Sequence, residues 1–172
     1  MMLSYSVRAF TAGLRAATTD QVDPYAPVVQ RFVAWPWYCD QNLHINNAQY
    51  LTFMDFGRIA WLVRVGLWRT LGTDRRALVA GLGMTYRREI RAMQPFELHT
   101  QVAAGDDRWA YVVQSFQADG VQVARGVVRI CFRGPDGLIP IGKLLGVPPP
   151  PATDEVRAWS EGVDAAYRHA GW

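Results

Sequence analysis

From residue 48 to residue 65 the chain offers no hydrophilic stripe: Leu51, Phe53, Met54, Phe56, Ile59, Ala60, Trp61, Leu62, Val63 and Val65 crowd every side of a helical projection. A helix apolar nearly all round is a buried helix. Asn47–Val65 is therefore predicted as one long buried helix, with Gly66 as its C-terminal stop and a short helix or turn continuing through Leu71. Ahead of it, residues 20–28 are polar with two prolines and read as a connector. Val29–Tyr38 reads as a strand, with Trp35, Trp37 and Tyr38 among its aromatics; Pro36 confines it to an edge or a strand end. After Arg76 the pattern becomes strand-like in four successive stretches, Leu78–Arg91, Glu97–Gly105, Arg108–Ala118 and Val121–Arg133, rich in Val, Tyr, Phe, Trp and Ile. Turn signals separate them at Gln94-Pro95, Gly105-Asp106-Asp107 and Asp119-Gly120. Asp119-Gly120 fits a two-residue type I′ hairpin, and Gly134-Pro135-Asp136-Gly137 ends the last long strand. A proline-rich linker follows at 145–152. Residues 153–170 regain a helical pattern, with Thr153 as cap, Glu155 in the first turn, and Val156, Trp159, Val163 and Tyr167 at 3–4 spacing.

Strand, long buried helix, then four antiparallel strands define an α+β domain. A helix wrapped by a curved antiparallel sheet buries all its faces, which explains its unbroken apolarity. The expected organisation is an N-terminal arm or helix at 1–27, the helix-in-sheet domain at 28–145, and the linker with its C-terminal helix at 146–172. Residues 1–19 hold Arg8, Arg15, several Ser, Thr and Ala and no acid, a composition like a mitochondrial presequence; we read them as a peripheral arm packed on the domain.

At 172 residues the chain supports one domain with a real core. Half the residues are hydrophobic and the net charge is only +3, too weak to imply a nucleic-acid partner; no basic block or zinc-finger spacing is present. Lys143 is the only lysine, so seventeen of the eighteen basic residues are Arg. A GC-rich genome explains that choice; phosphate binding, which suits the guanidinium fork, is the functional alternative. Cys39 and Cys131 form neither a disulfide framework nor a metal pattern, which fits a reducing, cytoplasmic setting. No apolar run approaches the ~20 residues that span a bilayer. His99 and His169 have no ligand spacing to His44, so neither metal nor cofactor is expected.

The chemistry concentrates in Asp40-Gln41-Asn42-Leu43-His44-Ile45-Asn46-Asn47, just ahead of the long helix. Asn is a strong N-cap, so this polar cluster is expected where the helix begins. Free N–H groups there suit a developing oxyanion. An acid/base set beside such donors is the minimum kit for acyl transfer. Asp40, Asn42 and His44 share one parity and point the same way if the segment is extended. Asp40 is then a general base or a nucleophile; the competing reading is a carboxylate that orders the loop. Asn42 either orients water and substrate or serves a turn, and His44 either moves a proton or braces the helix start. Asn46 and Asn47 read as caps, and Tyr50 either reaches the site or packs in the core. Asp55 and Arg58 read first as an ion pair. Cys39, opposite in parity to Asp40, is a weak nucleophile candidate. Arg87, Arg88 and Arg91 are a phosphate site or a solvated strand face. Trp35, Trp37, Phe53, Phe56 and Trp61 either line an acyl tunnel or fill the core.

Asp40, His44, Asn46, Asn47 and Tyr50 together resemble the D-x-x-G/x-H-V-N-N-x-x-Y element of the 4-hydroxybenzoyl-CoA thioesterase-like superfamily, and the likeness continues through Asp55-Phe56-Gly57-Arg58. Asp40, Asn42 and His44 are also similar to the D-x-N-x-H-x-N-N element of plant acyl-ACP thioesterases. Tyr86-Arg87-Arg88, Pro95-Phe96-Glu97-Leu98, Asp106-Asp107-Arg108-Trp109 and Gln114-Ser115-Phe116 resemble the thioesterase superfamily member six group. The likeness covers about residues 28–133. It implies the hotdog fold, a homodimer or homotetramer, and hydrolysis of acyl-CoA or acyl-ACP. Asp40, Asn42 and His44 would be catalytic, and Asn47, Tyr50, Asp55, Arg87 and Arg88 would bind substrate; in some hotdog thioesterases a helix carboxylate does the chemistry, which keeps Asp55 as a minor catalytic candidate. Some hotdog proteins bind acyl groups without hydrolysing them, so a non-catalytic acyl-binding or assembly module is the alternative, and an enoyl hydratase ranks behind both. One departure stands out: many members carry Gly before the His, where this chain has Leu43, and Gly admits a ligand close to the backbone.

Overall fold

A computed structural model describes residues 23–69, 71 and 74–169. The predicted N-terminal arm falls almost wholly outside these residues. Strand β1 (Val28–Val33) leads through a 3-10 turn (Pro36–Tyr38) to helix α1 (Asn47–Arg64) and a second 3-10 turn (Leu67–Arg69). Strands β2 (Arg76–Tyr86), β3 (Pro95–Gly105), β4 (Ala110–Ala118) and β5 (Val121–Gly134) follow. A short β6 (Gly137–Ile139), helix α2 (Ile141–Leu145) and helix α3 (Asp154–His169) complete the described chain. The strands form one antiparallel sheet in the order β1-β3-β4-β5-β2, with β6 paired to β5. This is the α+β hotdog arrangement.

Helix α1 begins where the sequence places it. The Asn46 side chain accepts a hydrogen bond from the Ala48 N–H at 2.9 Å, satisfying one orphan donor of the first turn. The helix stops at Gly66, whose φ of 75° a residue with a Cβ rarely adopts. Its inner side carries Tyr50, Phe53, Met54, Gly57, Ala60 and Trp61 into the sheet. They meet β3, β4 and β5 side chains such as Leu98, Val112, Phe116 and Val128, all buried. A chain of rings links helix to sheet: Phe53 lies 5.0 Å from Phe32 and from Phe96, and Tyr50 lies 4.9 Å from Phe116. Burial is not uniform, however. Leu51 remains 40% exposed, so the sheet of one chain does not wrap the helix completely.

Gly57 marks the closest approach of α1 to the sheet. A Cβ there would lie 2.4 Å from Thr100 Oγ1 and 2.5 Å from Gln114 Nε2. A mid-helix Gly costs ~1 kcal/mol against Ala; here the close approach requires it.

Helix α3 docks on the opposite face of the sheet. Val156 is buried with Ala104, Tyr111, Val113 and Val127, and Trp159 lies over Gly81 and Gly83, where a Cβ on Gly83 would meet its Nε1 at 2.4 Å. Polar contacts surround that apolar patch. Arg125 binds both carboxylate oxygens of Glu155 at 2.7 Å, Arg129 pairs with Asp164 at 2.5 Å, and the Tyr111 and Ser160 hydroxyls meet at 2.9 Å. The Val156 N–H reaches Thr153 Oγ1 at 3.4 Å, as expected of a cap.

Several boundaries differ from expectation for local reasons. The first strand ends at Val33, because Pro36 opens a 3-10 turn instead of continuing the ladder. The strand predicted over 78–91 ends at Tyr86, where the N–H groups of Arg87 and Arg88 both turn onto the Val123 carbonyl. β6 and α2, three and five residues long, are too short for periodicity to reveal. The Asp119-Gly120 hairpin is as predicted, with φ of 52° and 74° and Ala118 paired to Val121.

Candidate active site at the start of helix α1

Beyond the first 3-10 turn the chain folds back on itself. Asn46 N–H donates to the Tyr38 carbonyl at 2.9 Å, and Asp40 N–H to the His44 carbonyl at 3.0 Å. The tip is closed twice: Leu43 N–H donates to the Asp40 carbonyl at 3.0 Å, and Asn42 N–H to Asp40 Oδ1 at 2.8 Å. The segment is thus a tight turn, which corrects the extended geometry expected from its parity. The reason is local: the short Asp side chain captures a backbone N–H two residues on and bends the chain.

The turn still unites two of the three candidates. Asp40 and His44 face each other across it, with Oδ2 3.6 Å from Nδ1 and side chains 26% and 29% exposed. Asn42 sits at the tip, where its backbone N–H serves Asp40 and its side chain is exposed. Leu43, at φ 59°, occupies the left-handed region. Cys39, at the base, directs its thiol toward the Trp35 carbonyl at 3.7 Å. Burial first and the Asp40 charge second push that thiol's pKa up, so it is not an activated nucleophile.

The second arm of the turn zips onto the segment following β2. Ile45 N–H donates to the Ile90 carbonyl at 2.9 Å, Ala92 N–H to the Leu43 carbonyl at 2.8 Å, and His44 bridges Arg91. This brings Arg91, at the end of the basic stretch, beside His44. Arg87 and Arg88 are exposed, whereas Arg91 pairs with Glu89 at 2.8 Å. Arg88 and Arg91 line an open surface cavity with Gln94 and Asp119.

At the helix start, Asn46 receives Ala48 N–H through its side chain and Gln49 N–H through its carbonyl. The Asn47 N–H has no acceptor among the described residues, while its carbonyl accepts from the Tyr86 hydroxyl at 3.5 Å. Tyr50 is buried, edge-on to Tyr86 and Phe116. Burial, with the neighbouring Tyr86, pushes its pKa up to about 12, so it is a neutral core phenol at ordinary pH. Asp55 lies eight residues beyond Asn47, about 12 Å along the helix axis, and pairs with Arg58. It is therefore not part of the Asp40–His44 cluster.

Two features escaped the sequence reading. Gln114 is fully buried; its Nε2 donates to the Met54 carbonyl and to Thr100 Oγ1, both at 2.9 Å, while its Oε1 accepts from Arg58 at 2.8 Å. A Gln at the same parity as Val112 and Phe116, on the core-facing side of β4, was the available signal. Trp35 and Trp37 do not join Phe53, Phe56 and Trp61 in the core. They stack on each other at 5.3 Å and 8° and stay 40% and 57% exposed.

Comparison with known proteins identifies the family. The sequence model of the thioesterase-like superfamily matches residues 33–159, and the chain belongs to that superfamily. Protein THEM6 of Xenopus laevis is 36% identical over 87 residues, covering 50% of this chain and 42% of that protein. Thioesterase poxG of Penicillium oxalicum is 31% identical over 97 residues, covering 48% of this chain and 32% of that protein. The match thus spans less than half the length of either relative. The crystal structure of Slr0204, a 1,4-dihydroxy-2-naphthoyl-CoA thioesterase from Synechocystis, superposes with a TM-score of 0.62 at 9% identity, over 70% of this chain and 93% of that one. At that identity the likeness speaks for the fold alone.

Proposed function

We propose that this chain hydrolyses acyl thioesters, with acyl-CoA or an acyl carrier protein as substrate. The observation that carries the reading is the Asp40–His44 pair set across a pinned turn that leads into helix α1, whose first residue, Asn47, has an N–H with no acceptor among the described residues. Asp40 Oδ1 is held by the Asn42 N–H, which leaves Oδ2 to act. In the favoured course, Asp40 takes a proton from water as the water oxygen attacks the thioester carbonyl. The oxyanion that forms is met by the Asn47 N–H, with the helix dipole behind it. Collapse breaks the C–S bond, and the proton Asp40 took from water passes by way of His44 to the leaving thiolate, which returns Asp40 to its carboxylate. Direct attack by Asp40, giving an anhydride that water then opens, uses the same groups. Asn42, at the exposed tip, meets the substrate rim, and Arg87 and Arg88 receive phosphate oxygens of the thiol carrier. Tyr50 supports the site by packing, and Asp55 borders the half-exposed side of α1.

The alternative is acyl binding without turnover. It is favoured by the Asn42 N–H that already engages Asp40, since a carboxylate ordering its own loop needs no chemistry to explain it. In either case a second copy fits the architecture as a homodimer or homotetramer: among the described residues β2 is a sheet edge without a further strand, with Leu78 and Val79 exposed. The two free thiols suit a reducing, cytoplasmic setting. Among the described residues no helix is long and apolar enough to cross a membrane. Free-thiol release from short, medium, long-chain and aryl acyl-CoAs tests the reading. Turnover with one class supports hydrolysis; saturable binding of every class without thiol release supports the binding module.

A further inference from the structure

An oxyanion is held best by several donors aimed at the place where its charge develops, and the backbone at the start of α1 offers one. Of the N–H groups that a helix start leaves over, that of Asn46 goes to Tyr38, that of Ala48 to the Asn46 side chain and that of Gln49 to the Asn46 carbonyl. The Asn47 N–H alone has no acceptor among the described residues. A side chain reaches the same residue. Tyr86, the last residue of β2, points its hydroxyl at the Asn47 carbonyl, 3.5 Å away. A contact that long is at the outer limit of a hydrogen bond, and a carbonyl inside a helix has its own partner four residues on. Asn47 therefore has little need of the phenol, and the phenol is available to a better acceptor.

The ring is mounted firmly while the residue stays accessible. Tyr86 stands edge-on to Tyr50 at 5.1 Å and 75°, and Tyr50 is itself buried against Phe116. The backbone just beyond Tyr86 is pinned by the Arg87 and Arg88 N–H groups on the Val123 carbonyl. Yet Tyr86 is 43% exposed, so a substrate has room to meet it. We infer that Tyr86 is a further catalytic residue, whose phenol joins the Asn47 N–H in holding the thioester oxygen as negative charge develops on it. The inference rests on the thioesterase reading and deepens it. The distances allow the pairing. The nitrogen and oxygen of one residue lie within ~4 Å by backbone bond lengths, so the phenol oxygen starts within ~8 Å of the Asn47 nitrogen. Donors at about 3 Å on either side of one oxygen stand ~6 Å apart, a small swing of an exposed side chain from where Tyr86 rests. Burial pushes its phenol above the ordinary pKa of 10.0, so the proton to be shared is present at neutral pH. Tyr86 keeps that proton throughout. It donates a hydrogen bond to the carbonyl oxygen, which strengthens as the oxyanion forms and relaxes as the C–S bond breaks; the proton for the thiolate still comes by way of Asp40 and His44.

The test uses the intact chain and Tyr86→Phe, which keeps the ring on Tyr50 and removes only the hydroxyl. The probes are butanoyl-CoA, dodecanoyl-CoA and benzoyl-CoA, each isotope-labelled at the carbonyl carbon. Thiol release by Tyr86→Phe is expected to show kcat lowered about 100-fold, with KM and thermal midpoint little changed. The second readout is the infrared stretch of the labelled carbonyl bound to Asp40→Asn, where turnover is blocked. It is expected below its frequency in free substrate, and to move back toward that frequency in Asp40→Asn combined with Tyr86→Phe. Undiminished kcat, a carbonyl stretch indifferent to Tyr86→Phe, or failure of all three probes to bind would overturn the inference. The stretch separates a donor from a merely structural ring, which would leave it unmoved. The two readings also fail separately. A wild type that binds a probe with a Tyr86-dependent stretch but releases no thiol sinks hydrolysis and keeps the phenol as a carbonyl donor; turnover and a stretch that both ignore Tyr86→Phe keep hydrolysis and sink the donor.

Discussion

Helices α1 and α3 lie on opposite faces of one sheet and are held by different forces. α1 presses aromatic rings and Gly57 against the sheet, with a polar knot of Gln114, Thr100 and Arg58 set among them. α3 is amphipathic. It buries Val156, partly buries Trp159, and is otherwise clasped by Arg125–Glu155, Arg129–Asp164 and hydroxyl contacts. Arg129 is 2% exposed yet charged, with Trp109 4.5 Å and Tyr167 5.6 Å from its guanidinium. The difference teaches where function is anchored. The helix that bears the candidate site at its N-terminus is fixed by packing, which pH and salt barely touch. The helix remote from the site is fixed partly by charges, which both perturb.

The largest effect is expected from Gly57→Ala. Its methyl group would collide with Thr100 and Gln114 and break their buried hydrogen bonds, costing about 3 kcal/mol or more. Chemical denaturation would read it as a lower midpoint, and an unchanged midpoint would mean that α1 packs less closely than described. Asp164→Ala leaves Arg129 buried without its carboxylate, at a cost of about 1–3 kcal/mol. That loss should appear as faster hydrogen exchange across residues 154–169 with α1 still protected; equal loosening of both helices would erase the contrast between them.

Acid should separate the helices further. The Arg125 guanidinium, through its hydrogen bonds, holds the Glu155 carboxyl below its ordinary pKa of 4.5. A depressed carboxyl contributes stability that is fully present above 4.5 and is lost as pH falls through its lower folded value. Emission from Trp159 should therefore shift toward that of an exposed indole below pH 4.5, with α1 intact. Loss of the α3 contacts on raising the pH instead would contradict the sign. The smallest effects concern two turns. Leu43→Gly should stabilise the chain by ~1 kcal/mol, by relieving a left-handed leucine. Gly120→Ala, at φ 74° with open space around it, should cost ~1 kcal/mol. Thermal melts of the two variants should move in opposite directions.

These contrasts also explain what the sequence could reveal. The buried helix, its Asn cap, its Gly66 stop and the Asp119-Gly120 hairpin were legible because each depends on neighbouring residues alone. The long strands were legible through alternation, although their ends at Val33 and Tyr86 were set by a proline turn and by a shared carbonyl acceptor. Residues 40, 42 and 44 were recognisable as a chemical set, but not their geometry. Asp40 spends one oxygen on the Asn42 N–H, so the segment turns instead of extending, and only Asp40 and His44 meet. The Gln114 knot, the outward tryptophan stack and the docking of α3 depend on contacts across 30 or more residues or on which face a side chain takes, which local patterns do not encode.

Thiol release from the best acyl-CoA of the panel, compared between wild type and Asp40→Asn, tests the central claim most directly. Asn keeps the shape and can still accept from the Asn42 N–H, so the turn survives while the base or nucleophile is removed. The account predicts a fall in kcat of about 100-fold or more with KM and thermal midpoint little changed. Full turnover by Asp40→Asn would contradict it and leave Asp40 as a loop-ordering residue.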